Sequence, residues 1–292
     1  MKPESTVGLY PEYVLTIACP DRPGIVFAVS SFLVQHTGNI LESQQFDDRL
    51  QDRFFMRVHF EVYDAADTLD NLRKAFTGLA EAYSMTWRMW PEQAKYRTLV
   101  LVSKFGHCLN DLLYRQSIGA LQIEIPAVVS NHTDLEPLAN SFGVPFHHIP
   151  VPAGGKSAAE AELLALVESL QVHLVVLARY MQVLSDQTCH SLEGRAINIH
   201  HSFLPSFKGA GPYQQAFDRG VKLVGATAHY VTPELDEGPI IEQDVLRVDH
   251  SLSAQALMTA GRDVESQVLS RAVRWHAESR VLLNDRRTVV LR

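Results

Sequence analysis

Leu99-Val100-Leu101-Val102, ending on Ser103, is a short unbroken apolar run, the pattern of a strand buried on both faces of a parallel sheet. The theme returns in Ile123-Glu124-Ile125-Pro126-Ala127-Val128-Val129-Ser130 and in Leu174-Val175-Val176-Leu177-Ala178, with helical stretches between. Strands separated by helices predict right-handed crossovers and a doubly wound, mostly parallel sheet. Ligands of such sheets bind outside the carboxyl ends of the strands. Farther along, Val264, Val268, Leu269 and Ala272 form a helical stripe.

Upstream the pattern is different. Tyr13 to Cys19 is rich in strand formers and stops at the turn cluster Pro20-Asp21-Arg22-Pro23-Gly24. Ile25, Val29, Phe32 and Leu33 then recur at helical spacing. Ile40–Phe46 and Phe54–Val62 read as strands, residues 67–83 as a helix, and Met85–Trp90 as a closing strand. The order strand, helix, strand, strand, helix, strand predicts a ferredoxin-like α+β unit. The polar stretch Pro91–Arg97 is the expected linker, so the domains are placed at 1–92 and 93–292.

The chain has 292 residues, 46% of them hydrophobic and 20% charged, with a formal net charge of −7. That balance fits a globular protein and disfavours nucleic acid as a partner. No apolar run approaches the ~20 residues of a spanning helix, and no leader pattern opens the sequence, so neither a membrane nor secretion is expected. Cys19, Cys108 and Cys189 are widely spaced, which predicts neither a disulfide framework nor a metal site and suggests a cytoplasmic setting.

Two stretches carry candidate chemistry. In Ile197-Asn198-Ile199-His200-His201-Ser202-Phe203-Leu204-Pro205, a strand over 195–200 would point Asn198 and His200 to one side and His201 to the other. An amide and an imidazole aimed together can stabilise negative charge developing on a carbonyl oxygen. His200 and His201, facing opposite ways, are poor candidates to chelate one metal. In Leu235-Asp236-Glu237-Gly238-Pro239-Ile240, the carboxylate of Asp236 precedes a Gly-Pro turn and need not be tied up in a ladder. Taken singly, each residue has a plainer role in a turn or in packing.

Together, Asn-x-His-x-Ser-x-Leu-Pro at 198–205 and Leu-Asp-x-Gly-Pro-Ile at 235–240 resemble the signature of folate-dependent formyltransferases, over residues ~97–280. The resemblance implies that Asn198, His200 and Asp236 handle the formyl group of 10-formyltetrahydrofolate. It also implies a folate-binding loop at Arg179, Tyr180, Met181, Gln182, Val183 and Leu184. Gln182 stands where the family usually has Arg, and Gly211 where many relatives have Arg. The glycine-rich phosphate loop of transformylases is replaced here by Ser103-Lys104-Phe105-Gly106-His107-Cys108-Leu109, whose bulky side chains would crowd a phosphate.

Gly106–Leu113, Val129–His132, Ala178–Met181 and His200–Pro205 further resemble the formyltetrahydrofolate deformylases. Cys19–Val26 with Gly38-Asn39-Ile40 resembles the ACT domain, a module that often binds amino acids between subunits. The resemblance implies hydrolysis of 10-formyltetrahydrofolate to formate and tetrahydrofolate, in one-carbon metabolism and formate supply for purine synthesis. The folate is then substrate, and no cofactor is expected. It also implies an amino-acid effector site at Asp21, Arg22, Gly24, Ile25, Asn39 and Ile40, and a homo-oligomer. The alternatives are formyl transfer to an amine and a catalytically inert folate- or amino-acid-binding regulator.

Overall fold

The structure, a computed structural model, describes residues 10–64, 66–205 and 212–292. It divides into two compact units. The first comprises the chain up to Ala94 together with Glu278–Leu282 and Val289–Arg292; the second comprises Lys95–Ala277 and Leu283–Thr288.

In the first unit, β1 (Glu12–Pro20), α1 (Ile25–Gln35), β2 (Gly38–Asp48), β3 (Arg53–Val62), α2 (Leu69–Ala82) and β4 (Thr86–Pro91) follow in order. The strands form one antiparallel sheet, β2-β3-β1-β4, the ferredoxin-like arrangement. Alternation explains its core: Tyr13, Leu15, Ile17 and Cys19 of β1 pack with Phe54, Met56, Val58 and Phe60 of β3 against α1 and α2. Helix α2 starts where the Thr68 side chain accepts a hydrogen bond from the Asn71 amide, an N-cap. The opposite register buries Ala18 and Phe55 against Leu282 and Leu291, so the end of the chain covers the second face of this sheet.

The second unit begins with β5 (Tyr96–Val102), α3 (His107–Ser117), β6 (Ile123–Glu124), β7 (Val128–Ser130), α4 (Glu136–Ser141) and β8 (Phe146–His148). It continues with α5 (Lys156–Ser169), β9 (Leu174–Leu177), α6 (Asp186–Ser191), β10 (Ala196–His200), α7 (Pro212–Asp218), β11 (Leu223–Tyr230), β12 (Ile240–Arg247) and α8 (Ala254–Ala277). A hairpin of β13 (Val281–Asn284) and β14 (Arg287–Val290) ends the chain. The main sheet runs β12-β11-β10-β9-β5-β7-β8. It is parallel from β10 to β8, and β11 pairs antiparallel with both β10 and β12. The run 123–130, read as one strand, is two short ones. Pro126 lies between them and lacks the N–H a continuous ladder needs.

Leu99, Leu101, Val175 and Leu177 pack under α5 and α6, while Val100 and Val176, pointing the other way, are also fully buried. Both faces are covered, which is why these strands lack a polar register. Among the described residues, no helix is long and apolar enough to cross a membrane.

Candidate active site

A cavity of about 240 Å3 opens where β9 and β10 end. Its apolar wall is Tyr180, Met181, Val183 and Leu184 of the segment after β9, with Leu177, Val231 and Leu235. Its polar end gathers Asn198, His200, His201, His229 and Asp236.

The apolar segment is pinned at two points. The Met181 amide donates to Ser103 Oγ at 2.9 Å, and that hydroxyl donates to Asn131 Oδ1 at 2.7 Å. At the far end the Ser185 amide donates to Glu160 Oε1 at 2.8 Å and the Thr188 hydroxyl to Glu160 Oε2 at 2.8 Å. Ser185 also caps α6 through the Thr188 amide. The loop is therefore held by side chains from the turn after β5, from α5 and from the turn after β7, leaving Met181 and Val183 half exposed at the cavity mouth.

Asn198 and His200 share one face of β10 through the two-residue period of a strand. His229 of β11 lies directly opposite Asn198 in the antiparallel register, so it meets the same face. Asn198 Nδ2 stands 3.2 Å from His229 Nε2, and His229 Nδ1 lies 2.8 Å from the Tyr230 carbonyl oxygen. Only a ring carrying its proton on Nδ1 satisfies both contacts: it donates to the carbonyl and accepts from the amide. That orients the Asn198 NH2 and leaves its second hydrogen for another acceptor.

Asp236 reaches the same spot from the loop before β12. Its backbone is left-handed, φ 58°, a conformation that Asp tolerates better than most residues. Two residues on, Gly238 runs so close to β11 that a Cβ there would sit 1.8 Å from the Tyr230 carbonyl oxygen, so the loop requires glycine. Asp236 Oδ2 is 3.2 Å from His200 Nδ1, and Oδ1 is 3.7 Å from His229 Nε2. Burial alone would raise the Asp236 pKa, but the hydrogen bond and charge of His200 outweigh it and hold the carboxyl well below the usual range.

With Nδ1 turned to Asp236, the other ring nitrogen of His200, Nε2, is buried and has no partner among the described residues. The His200 ring belongs to the cavity wall. The turn that follows β10 is tied down as well. Thr227 Oγ1 donates to the Ser202 carbonyl at 2.9 Å and accepts from the Leu204 amide at 3.1 Å. An oriented amide, an imidazole with one unpartnered nitrogen and an ionised carboxylate thus converge on one volume. Such a set can polarise a carbonyl, hold a small nucleophile and move a proton.

Residues 96–273 match the family model described as Formyl transferase, and residues 13–77 match the ACT domain. A formyltetrahydrofolate deformylase of Corynebacterium sp. (strain P-1) is 54% identical over 280 residues, 96% of this chain and 98% of that protein. The chain belongs to the formyltetrahydrofolate deformylase family. A crystal structure of a formyltetrahydrofolate deformylase from Pseudomonas syringae matches with a TM-score of 0.94 and 48% identity, covering 98% of this chain and 96% of that one. Another, from Burkholderia mallei, matches at 0.92 and 50%, covering 97% and 100%.

Within this deformylase-family chain, Asn198, His200, Asp236 and the whole segment Arg179–Leu184 come together at one cavity. His229 joins them, although its sequence neighbourhood reads only as a strand; its register opposite Asn198 is the signal, and register is not visible along the chain. His201 also lines the cavity, against the expectation that it faces away from His200. The reason is that β10 ends at His200, so strand alternation no longer governs the next residue. Its ring centroid lies 5.1 Å from that of His200. Burial, helped by the charge of Arg179, pushes the His201 pKa down to about 3, so the ring is neutral. Gly209, Ala210 and Gly211 lie outside the described residues.

The candidate effector residues of the first unit are not gathered within one chain. Asp21, Arg22, Gly24 and Ile25 sit at the start of α1 and Asn39 and Ile40 beyond its end, about 16 Å apart for eleven helical residues. Arg22 stacks on the Tyr83 ring at 4.1 Å, and Asn39 Nδ2 donates to Glu61 at 2.9 Å.

His107, Cys108 and Glu265 place one donor atom each within 4.8 Å, a grouping that the expectation of no metal site did not foresee. Its chemistry disfavours a cation. Burial pushes the Cys108 thiol far above its usual pKa, and Glu265 already bonds His107 and Tyr213 and faces the Arg179 guanidinium at 3.4 Å. All three cysteines are free and buried.

Proposed function

We propose that this chain hydrolyses 10-formyltetrahydrofolate to formate and tetrahydrofolate. The observation that carries the reading is His200, a residue of the cavity wall beside Asn198, held by Asp236 through Nδ1 with its buried Nε2 unpartnered among the described residues. The names of the deformylase relatives support the substrate.

In this reading the folate ring lies along residues 179–184, where backbone amides and carbonyls recognise its edge and apolar side chains its faces. The formyl group then enters the polar end. Asn198 and a protonated His200 hydrogen-bond the formyl oxygen as water adds to its carbon. Asp236 positions the water and receives its proton. The carbon–nitrogen bond breaks as the departing folate nitrogen takes a proton from His200 or from water. No cofactor takes part, since the folate is itself the substrate. The product formate would feed purine synthesis and one-carbon metabolism in the cytoplasm.

Purified protein given 10-formyltetrahydrofolate and no amine is expected to release formate and tetrahydrofolate in equal amounts. Turnover strictly dependent on an added amine would assign a transferase instead, and tight folate binding with no turnover would assign a regulator.

The first unit is proposed to bind an amino acid, glycine or methionine, between two copies of the chain. Separation of Asp21–Ile25 from Asn39–Ile40 along α1 supports a site completed by a second copy. Calorimetry is expected to show binding of one of these amino acids, and turnover to change with its concentration; coupling of the two ligands is what makes the effect allosteric. Absence of binding, or binding without any change in rate, rejects it.

A further inference from the structure

Glu265 of α8 is 1% exposed, yet it takes no direct part in the chemistry above. Its carboxylate is the centre of a closed polar cluster. Tyr213 of α7 donates its hydroxyl to Oε1 at 2.6 Å, His107 of α3 places Nε2 at 2.8 Å from Oε2, and Arg179 Nε stands 3.4 Å from Oε2. Burial would raise the Glu265 pKa, but these partners outweigh it and keep the group ionised. Burying a charge this deeply is costly unless its partners are well placed. Such a group fixes those partners in position, because any rearrangement leaves a charge uncompensated.

The cluster stands against the polar end of the cavity. Arg179 and His201 line that end; Tyr213, Glu265 and His107 do not, and lie on the far side of those two. The His201 and Tyr213 ring centroids are 6.1 Å apart. The Tyr213 ring has no slack either, since a Cβ on Gly261 would come within 2.2 Å of it. Three helices thus deliver one bulky, tethered group to the wall facing the catalytic nitrogens. The folate side of the cavity is apolar, whereas this side is walled by the His201 and Arg179 side chains.

Resting on the proposed hydrolysis, we propose that the Tyr213–Glu265–His107 cluster determines the nucleophile, sealing the polar end behind His201 and Arg179 so that water enters and amines larger than water do not. With water, oxygen bonds to the formyl carbon, the bond to the folate nitrogen breaks, that nitrogen takes a proton, and formate leaves. With an amine, nitrogen bonds to the same carbon, the same bond breaks, the amine's proton goes to the folate nitrogen, and a formamide leaves. Both routes balance without an oxidant or reductant and use the same Asn198, His200 and Asp236. What differs is the space for the attacking atom's substituents.

The test is product partition. Wild-type protein and the Tyr213→Ala, Tyr213→Phe and His107→Ala variants are given 10-formyltetrahydrofolate with glycinamide, and formate and formylglycinamide are measured together. Wild type is expected to give formate almost alone. Tyr213→Ala and His107→Ala should raise the formamide-to-formate ratio by ~tenfold or more, the scale on which pocket size discriminates. Tyr213→Phe keeps the ring and should stay near the wild-type ratio. A merely structural role would lower both products together and leave the ratio unmoved. An unchanged ratio in either alanine variant that still turns over overturns the proposal. If Tyr213→Ala does not fold, His107→Ala on another helix decides alone, and if neither folds, an unchanged ratio in Tyr213→Ser overturns it. Absence of formate from wild type would instead reject the hydrolytic reading itself.

Discussion

Asp236→Asn is expected to lower kcat for formate release by about a thousandfold or more, at least the loss seen when a single buried catalytic hydrogen-bonding group is removed. The substitution isolates charge from shape. Residue 236 sits at φ 58°, and Asn is among the few residues that accept this left-handed backbone, so the loop before Gly238 should keep its path. An amide oxygen can still accept from His200 Nδ1, but it cannot balance an imidazolium or take a proton from water. The measurement is steady-state formate release alongside circular dichroism. A folded variant with near-wild-type turnover would show that the carboxylate is dispensable.

The pH dependence follows from the same pair. The folded Asp236 carboxyl titrates below its unfolded value of roughly 3.9. Its contribution to stability is therefore fully present above that unfolded value and is lost as pH falls through the depressed folded one. Asp236 should contribute no acidic limb to the rate profile in the ordinary assay range.

Asn198→Ala is the second large effect: a hundred- to thousandfold drop in kcat, or ~2.7–4 kcal/mol, if its amide hydrogen-bonds the formyl oxygen in the transition state. His229 sharpens the expectation. Because its Nε2 takes one hydrogen of the Asn198 NH2, the amide is oriented before substrate arrives, and little reorganisation is needed. kcat should fall with little change in KM, since the oxygen acquires its charge only as water adds. A rise in KM at constant kcat would mean that Asn198 merely holds the ground state.

Much of this architecture could be read along the chain for one reason: strands and helices have different periods. Apolar runs such as Leu99–Val102 and Leu174–Leu177 have no polar face to show to water, so they predict strands covered on both sides, and they are. The two-residue spacing of Asn198 and His200 likewise placed them on one face. Where a strand stops, the rule stops with it. His201 was expected to turn away and instead joins the cavity wall, one residue beyond the end of β10.

Whatever depends on neighbours in the chain can be read along it: the two kinds of unit, the order of their elements, and the pair of motifs that bring Asn198, His200 and Asp236 into view. Which distant residues answer them is settled only once the chain has folded. His229 meets Asn198 through antiparallel register across 31 positions. Glu265 of α8 reaches the segment after β9, and residues 278–282 and 289–292 return to the first unit. Those pairings follow from the burial of polar groups that must find partners far along the chain, and local periodicity holds no record of which partner that will be.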